Sequence, residues 1–289
     1  SDAEITFEAN PDSVSDKLLR RLRGEGFNRV SLGIQTDEDE ILQKIGRPHN
    51  YAQAVTAFER IRRAGFDNLS VDLIYGLPSQ SRNDWADTLS RAMALRPDHI
   101  SCYGLKLEEG TPMYEYKGSP FLPDDDEQAD MYLSAVKILR AYGYRQYEIS
   151  NFAKKGRQSR HNRIYWQAEE YLGMGLGSHS YMNGERFHNI YDLQAYMEAD
   201  GEVSLLKEDV EIITEGDAMG EFMFLGLRLL EGVTFERFRE RFGQEMKNIY
   251  GEQIDSLKKD GLLQEDEIGI RLTARGVDIS NFVFEKFLI

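Results

Sequence analysis

The chain has 289 residues, 41% of them hydrophobic and 29% charged, and a formal net charge of −15 at pH 7. That length suits one large domain and a small one. The acidic charge disfavours a role on DNA or RNA, and no apolar run approaches the roughly 20 residues of a membrane span. The lone cysteine, Cys102, excludes an internal disulfide framework or multi-cysteine metal site within these residues and indicates a reducing, cytoplasmic setting. The strand-like opening predicts no signal peptide.

Strand and helix patterns alternate over the first 105 residues. Ser15 is placed to cap one helix, Gly65 to end another, and Pro97 to stop a third. The predicted strands are 5–8, 29–35, 69–75 and 99–105, and the predicted helices are 16–24, 37–45, 51–64 and 81–95.

Polar side chains end or interrupt the four predicted strands. They are Glu8, Gln35, Asp72 and Tyr103, separated by 27, 37 and 31 residues. Steps of this length are typical of strand–helix repeats, so the pattern predicts a parallel α/β array. Such arrays place their ligands at the carboxyl ends of the strands.

Beyond residue 105 the strand–helix alternation gives way first to an irregular segment and then to a mainly helical one. A helix is predicted at 127–142 and a strand at 147–150, whereas 156–190 is irregular and rich in motifs. Three helices and a small hairpin are then predicted, and they resemble a winged-helix module, which places a domain boundary between residues 205 and 206. The predicted elements are helices 211–230, 234–242 and 246–260, hairpin strands 262–264 and 269–272, and a final helix capped by Thr273.

Four of the polar residues each have a functional and a structural interpretation. A carboxylate inside the apolar strand around Asp72 is costly unless it is partnered or ligand-bound, so function is favoured there. Glu8 is either a ligand group or a solvated turn residue, and Gln35 is either a ligand group or an edge residue. Arg47 could bind a carboxylate in bidentate fashion, but from the residues alone a surface arginine is the favoured interpretation.

Four short runs are similar in order and spacing to the coproporphyrinogen oxidase-like radical-SAM family. They are Phe7-Glu8-Ala9-Asn10-Pro11, Leu32-Gly33-Ile34-Gln35, Ile45-Gly46-Arg47 and Val71-Asp72-Leu73-Ile74-Tyr75-Gly76-Leu77-Pro78. The resemblance covers essentially the whole chain and implies a partial (β/α)6 barrel that binds S-adenosylmethionine at its strand ends, followed by a small winged-helix-like α+β domain.

The resemblance also implies a role for each strand-end residue. Arg47 is expected to meet the methionyl carboxylate and Glu8 the methionyl amino group, while Gln35 and Asp72 are expected to bind the ribose hydroxyls. The backbone from Tyr103 to Lys106 is expected near the adenine. A zwitterion and a diol do require fixed donors and acceptors of these types.

One feature of the family is missing. Its cluster loop carries cysteines at the spacing Cys-x3-Cys-x2-Cys, and a glycine-rich turn follows its second strand, but this sequence begins at what corresponds to the third strand. Cys102 alone cannot hold a [4Fe-4S] cluster. The chain as it stands is therefore expected to be inactive in radical chemistry.

The run Arg160-His161-Asn162-Arg163-Ile164-Tyr165-Trp166 combines a histidine, cations and aromatic rings. One histidine beside aromatics is more often structural, yet imidazole is a good haem ligand, and arginines, here with Arg157, suit porphyrin propionates. His-Asn-x-x-Tyr-Trp is similar to the signature of the HemW-type haem chaperones within the family. That resemblance makes His161 the first candidate for the haem-iron ligand, with Tyr165 and Trp166 beside it, and His179 in the glycine-rich run 175–181 the second.

Three functions compete at this point. The first is a haem carrier that delivers haem to a membrane-bound or respiratory acceptor, with no transmembrane segment of its own and with peripheral membrane association left open. The second is an oxygen-independent coproporphyrinogen III oxidase, which converts two propionates to vinyl groups with S-adenosylmethionine. The third is a catalytically silent scaffold whose C-terminal module contacts proteins.

Overall fold

A computed structural model describes residues 2–288 of the chain. Its residue contacts divide the chain into two compact units, one ending at Ser159 and the other beginning at Arg160. Within the described residues, no helix is long and apolar enough to cross a membrane.

The first unit is built on a six-stranded sheet of order β1-β2-β3-β4-β6-β5. Strands β1 to β4 are parallel, as the strand–helix alternation predicts, and β5 and β6 add an antiparallel edge. The strands are β1 (Thr6–Ala9), β2 (Arg29–Gln35), β3 (Asn68–Tyr75), β4 (His99–Gly104), β5 (Arg145–Gln146) and β6 (Asn151–Ala153).

Helices connect the parallel strands, and side-chain caps fix where they begin. Ser15 accepts a hydrogen bond from the Leu18 amide, and Asn50 and Ser81 form capping boxes at the next long helices. The helices are α1 (Asp16–Gly24), α2 (Asp39–Lys44), α3 (Tyr51–Arg63), α4 (Arg82–Ala94) and α5 (Asp125–Ala141), with 3-10 turns at Pro11–Ser13 and Pro112–Tyr116.

The two faces of the parallel sheet differ completely in chemistry. One face is apolar and forms the main core with the helices, through Val30, Leu32, Ile34, Leu69, Val71, Leu73, Ile100 and Cys102. The other face is polar although largely buried, and it carries Arg29, Ser31, Ser70, Asp72, His99, Ser101 and Asn151. A polar inner face is typical of a sheet that curves around a ligand-binding interior.

The strand predicted at 147–150 is wrong. These residues form a turn between β5 and β6, in which the Tyr147 amide donates to the Asn151 carbonyl at 3.1 Å. The Glu148 carboxylate accepts from the Ser150 amide at 2.8 Å and from the Asn151 side chain at 2.6 Å. A buried side chain thus satisfies the backbone that strand pairing would otherwise satisfy.

The second unit opens with a short helix and a small antiparallel sheet of order β7-β8-β9. These elements are α6 (Arg160–Trp166), β7 (His179–Met182), β8 (Glu185–Asn189), α7 (Leu193–Glu198), a 3-10 turn at Val203–Leu205 and β9 (Lys207–Ile212). The predicted boundary between residues 205 and 206 falls inside this unit, where β9 pairs with β8. A separate domain beginning at residue 206 stays a prediction.

The C-terminal part has the three longer helices and the small sheet of the predicted winged-helix-like module, followed by two short helices. Aromatic side chains fill its core, where the rings of Phe222, Phe238, Tyr250 and Phe287 contact one another in sequence. The elements are α8 (Glu215–Gly226), β10 (Val233–Thr234), α9 (Phe235–Phe242), α10 (Met246–Lys259), β11 (Leu263–Glu265), β12 (Gly269–Leu272), α11 (Ala274–Asp278) and α12 (Ser280–Glu285).

The helix predicted from residue 211 begins later in the structure. Residues 211 and 212 belong to β9, and α8 starts after Thr214, whose side chain accepts from the Asp217 amide in a capping box. The cap and the pairing of β9 with β8 therefore override the apolar pattern at this boundary.

Candidate functional site

The first candidate site lies toward the carboxyl ends of β1 to β4. Glu8 is exposed near the end of β1, Gln35 is the last residue of β2, and Tyr103 is next to last in β4, where it is 40% exposed. Asp72 lies within β3, opposite Gly33 on one side and Ser101 on the other. Parallel pairing brings these side chains, predicted as ligands, to one end of the sheet.

Asp72 is partnered rather than isolated. Its carboxylate accepts hydrogen bonds from the Ser31 hydroxyl at 2.9 Å and the Ser101 hydroxyl at 2.7 Å. Burial raises the pKa of Asp72, and the two serine hydroxyls and Arg29 oppose that rise. The two serines fix the orientation of an acceptor that could bind a diol, and sequence patterns alone did not reveal them.

Gln35 sits at an irregular strand end. Its φ of 69° is left-handed, and the pairing with β3 shifts register between Gly33 and Gln35. A Cβ at position 33 would lie 2.7 Å from the Gln35 Nε2 and 3.5 Å from the Asn10 Oδ1. A side chain at position 33 would therefore displace the end of the Gln35 side chain, whereas its contact with Asn10 would be an ordinary one.

Arg47 joins the same site through Asn10. Its Nη1 donates to the Asn10 Oδ1 at 3.1 Å, so the loop after α2 is tied to the end of β1. Asn10 belongs to one of the family-like runs, but it is not among the residues predicted to bind a ligand. The contact places the Arg47 guanidinium near the side-chain amides of Asn10 and Gln35, beside Gly33. Together these groups are a suitable donor set for a carboxylate and hydroxyl groups.

Lys106 is less closely associated with this site. Its ammonium pairs with Glu108 at 3.1 Å, and its side chain is 83% exposed. The predicted contact of the Tyr103–Lys106 backbone with adenine stays a prediction.

The described residues do not fit an iron–sulfur cluster. Cys102 lies in β4 with its side chain in the apolar core, and burial raises the pKa of its thiol far above the ordinary range. No group of three or more histidine, cysteine or acidic residues suited to a metal ion occurs within residues 2–288.

We therefore expect Cys102 to be inert in the folded protein. Iodoacetamide should leave the native chain unmodified and alkylate one thiol after unfolding, as mass spectrometry would measure. Reconstitution of this chain with iron and sulfide should leave no cluster, and a stoichiometric [4Fe-4S] cluster in the iron and sulfide analysis would show the expectation to be wrong.

The second candidate site is an aromatic cluster around α6. His161 is exposed, its Nε2 lies 3.0 Å from the Tyr165 hydroxyl, and the two rings meet edge to face at 4.9 Å. Tyr165 in turn contacts the Tyr171 ring at 4.7 Å, and Tyr171 pairs with Tyr181 through backbone hydrogen bonds. The run at 160–166 and the glycine-rich run at 175–181 thus share one cluster.

Two other residues of the 160–166 run have protein partners. The Arg228 guanidinium lies 4.2 Å from the centre of the Trp166 ring, and Arg163 pairs with Glu231 at 2.7 Å. Trp166 Nε1 is buried and has no hydrogen-bond partner within the described residues. These contacts favour a role for Trp166 in packing rather than in haem binding. They also engage Arg163, one of the arginines predicted to pair with porphyrin propionates.

His179 and His188 face each other across β7 and β8. Their ring centres are 5.3 Å apart, with His179 exposed and His188 buried. His188 Nδ1 lies 2.9 Å from the Asn189 carbonyl and Nε2 lies 3.0 Å from the Asp209 carboxylate, so both nitrogens are engaged. His179 is therefore the better candidate ligand of the pair.

The Asn189 carbonyl and then the Asp209 carboxylate raise the pKa of His188. Because the folded pKa is raised, the stabilisation is complete below the unfolded pKa and is lost as pH rises through the folded pKa. We expect Asp209→Asn to lower the pKa of His188 in an NMR titration, with Glu208→Gln, which removes a weaker interaction, as the control. An unchanged pKa in Asp209→Asn would contradict the pairing.

Comparisons with known proteins agree with both parts of this structure. Residues 1–92 match the radical SAM superfamily model and residues 213–279 match the HemN C-terminal domain model. The heme chaperone HemW of Bacillus subtilis is 38% identical over 288 residues, covering 99% of this chain and 76% of the relative, and HemW of Haemophilus influenzae is 35% identical, covering 99% and 74%. The chain belongs to the HemW family.

A solved structure confirms the fold. Coproporphyrinogen III oxidase HemN from Escherichia coli, described as a radical SAM enzyme, superposes with a TM-score of 0.82 over 99% of this chain and 70% of that one. Its identity is 23%, so the likeness concerns the α/β radical-SAM fold and C-terminal domain rather than the activity. The family prediction made from the short sequence runs is confirmed.

Proposed function

We propose that this protein is a haem chaperone, which binds haem in its second unit and S-adenosylmethionine at the strand ends of its first unit and delivers haem to an acceptor protein. The observation that carries the proposal is the relation to proteins named heme chaperone HemW across 99% of the chain. Membership of the radical SAM superfamily supports S-adenosylmethionine as the second ligand.

The haem site is proposed at His161. The imidazole is exposed at the start of a helix, and the Tyr165 hydroxyl bonded to it can orient the ring toward a ligand. Tyr165 and Tyr171 supply aromatic surface for the porphyrin face. His179 is the second candidate, and the exposed side chains of Leu172, Met174 and Leu176 before it offer further apolar surface.

The S-adenosylmethionine site is proposed around Glu8, Gln35, Arg47 and Asp72, with Tyr103 and Lys106 at its adenine end. Arg47 suits the ligand carboxylate, Glu8 its ammonium group, and the serine-held Asp72 one of its ribose hydroxyls. When bound together with an iron–sulfur cluster, S-adenosylmethionine supplies a 5′-deoxyadenosyl radical, but the described residues do not fit such a cluster.

The proposed acceptors are membrane-bound or respiratory haem proteins, and the proposed site of action is the cytoplasm. The single cysteine supports a reducing compartment. The net charge of −15 supports a partner other than nucleic acid.

Loading followed by transfer tests the proposal. The protein should retain one haem after gel filtration, counted as the pyridine haemochrome, and release it to an apo haem protein separated by affinity capture. Retention with transfer supports the chaperone. Failure to retain haem would contradict it, as would conversion of coproporphyrinogen III to vinyl products by this chain.

A further inference from the structure

A row of three polar side chains crosses the amino ends of the first three strands. Thr6 on β1 pairs with Arg29 on β2, which pairs with Asn68 on β3. The three side chains share the polar face of the sheet with Ser31 and Ser70, because residues two apart in a strand point to the same side. We call these three residues the Arg29 row.

Each member of the Arg29 row has a buried polar atom without a hydrogen-bond partner within residues 2–288. The atoms are Thr6 Oγ1, Arg29 Nε and Asn68 Oδ1. Arg29 is only 4% exposed and forms no ion pair with the described residues. Buried polar atoms are almost always paired, and an unpaired buried charge is strongly unfavourable. Three such atoms side by side indicate a missing partner.

The polar side chains nearest the row already have hydrogen-bond partners of their own. Ser70 is bonded to His99 Nδ1 at 2.7 Å, and His99 Nε2 to the Tyr147 hydroxyl at 2.8 Å, so these groups are already engaged. Burial, and then the nearby Arg29 charge, holds the pKa of His99 well below its usual value, so the ring is neutral. Asp72, on which the Arg29 charge also acts, lies four residues farther along β3 and is held by Ser31 and Ser101.

We propose that the Arg29 row binds a carboxylate. The guanidinium offers a planar pair of donors that matches a carboxylate, and the Thr6 hydroxyl offers another. Rotation of the Asn68 side-chain amide exchanges its oxygen and nitrogen without changing its shape. In that orientation an Asn68 N–H can also donate to the carboxylate. The carboxylate is that of a small free acid, so this site is independent of the proposed haem function.

Acetate is the first probe. In wild-type protein, sodium acetate at about ten times its Kd should raise the midpoint of thermal unfolding. The rise should be a few degrees larger than the one that sodium fluoride causes at the same ionic strength. Arg29→Met keeps the stem of the side chain and should lose this acetate-specific rise. Arg20→Met, on the exposed surface of α1, should keep it. An equal rise in wild type and Arg29→Met would overturn the proposal.

A second variant supplies the carboxylate from the protein itself. Asn68→Asp places an acid of nearly the same shape beside Arg29, and opposite charges in a cross-strand pair attract. It should raise the unfolding midpoint without acetate and abolish the acetate-specific rise. Destabilisation together with an unchanged response to acetate would refute the site, whether or not Arg29→Met folds well.

Discussion

Asp72→Asn should weaken S-adenosylmethionine binding about tenfold or more. The wild-type carboxylate, held by the hydroxyls of Ser31 and Ser101, is a strong acceptor for a ribose hydroxyl, and hydrogen bonds to charged groups contribute roughly 1.5–3 kcal/mol. Isothermal titration of the two proteins measures the loss. Asp67→Asn, an exposed change one residue before β3, is the control. Equal affinity in wild type and Asp72→Asn would remove Asp72 from the site.

The same substitution has a pH signature in the absence of ligand. Burial raises the pKa of Asp72 in the folded state, so the protonated carboxyl stabilises the fold at low pH and this stabilisation is lost as pH rises through the folded pKa. The free energy of unfolding of wild type relative to Asp72→Asn should therefore decrease as pH rises above the ordinary carboxyl range. Urea denaturation at a series of pH values measures the difference, and a flat difference would contradict the raised pKa.

Arg47→Met should also weaken S-adenosylmethionine binding, by about tenfold to a hundredfold. The substitution removes the cation proposed to meet the methionyl carboxylate and the hydrogen bond to Asn10, and charge-assisted pairs of this type are strong. Arg47→Lys should recover part of the loss, because it keeps the charge without the planar pair of donors.

The control for Arg47 is Arg63→Met, which removes an exposed arginine at the end of α3. Isothermal titration with S-adenosylmethionine and with its decarboxylated analogue separates the proposed contact from a general effect on folding. Wild type should discriminate between the two ligands and Arg47→Met should not. Undiminished discrimination in the variant would show that another residue meets the carboxylate.

The order of helices and parallel strands in the first unit could be predicted because local signals agree there. Ser15 caps α1 as its position predicts, and alternating apolar residues mark β2, whose bounds in the structure, Arg29–Gln35, are those predicted. Polar residues interrupting apolar strands predicted that Gln35 and Asp72 would share one end of the sheet. Parallel topology converts such sequence spacing into spatial proximity.

The partners that give the site its geometry could not be predicted in this way. The bonds from Ser31 and Ser101 to Asp72 depend on strand register, and single-strand patterns do not contain it. The left-handed Gln35 and the pairing of Arg47 with Asn10 depend equally on tertiary contacts. The strand predicted at 147–150 failed because a buried Glu148 closes a turn there.

The second unit shows the same limit. The short sequence runs predicted the family, but they did not show that Tyr165 and Tyr171 link the two histidine-bearing runs. They also did not show that Arg163 pairs with Glu231 or that Arg228 covers Trp166. Sequence patterns therefore identified the candidate histidines but not the side chains that surround them.

A haemin titration followed in the Soret band tests the central claim most directly. Wild type, His161→Ala and His179→Ala should be compared at equal protein concentration. We predict a saturable Soret shift in wild type, an apparent Kd about tenfold higher or more in His161→Ala, and a smaller change in His179→Ala. A shift of the same position and affinity in wild type and His161→Ala, or no saturable shift in wild type, would contradict haem binding through His161.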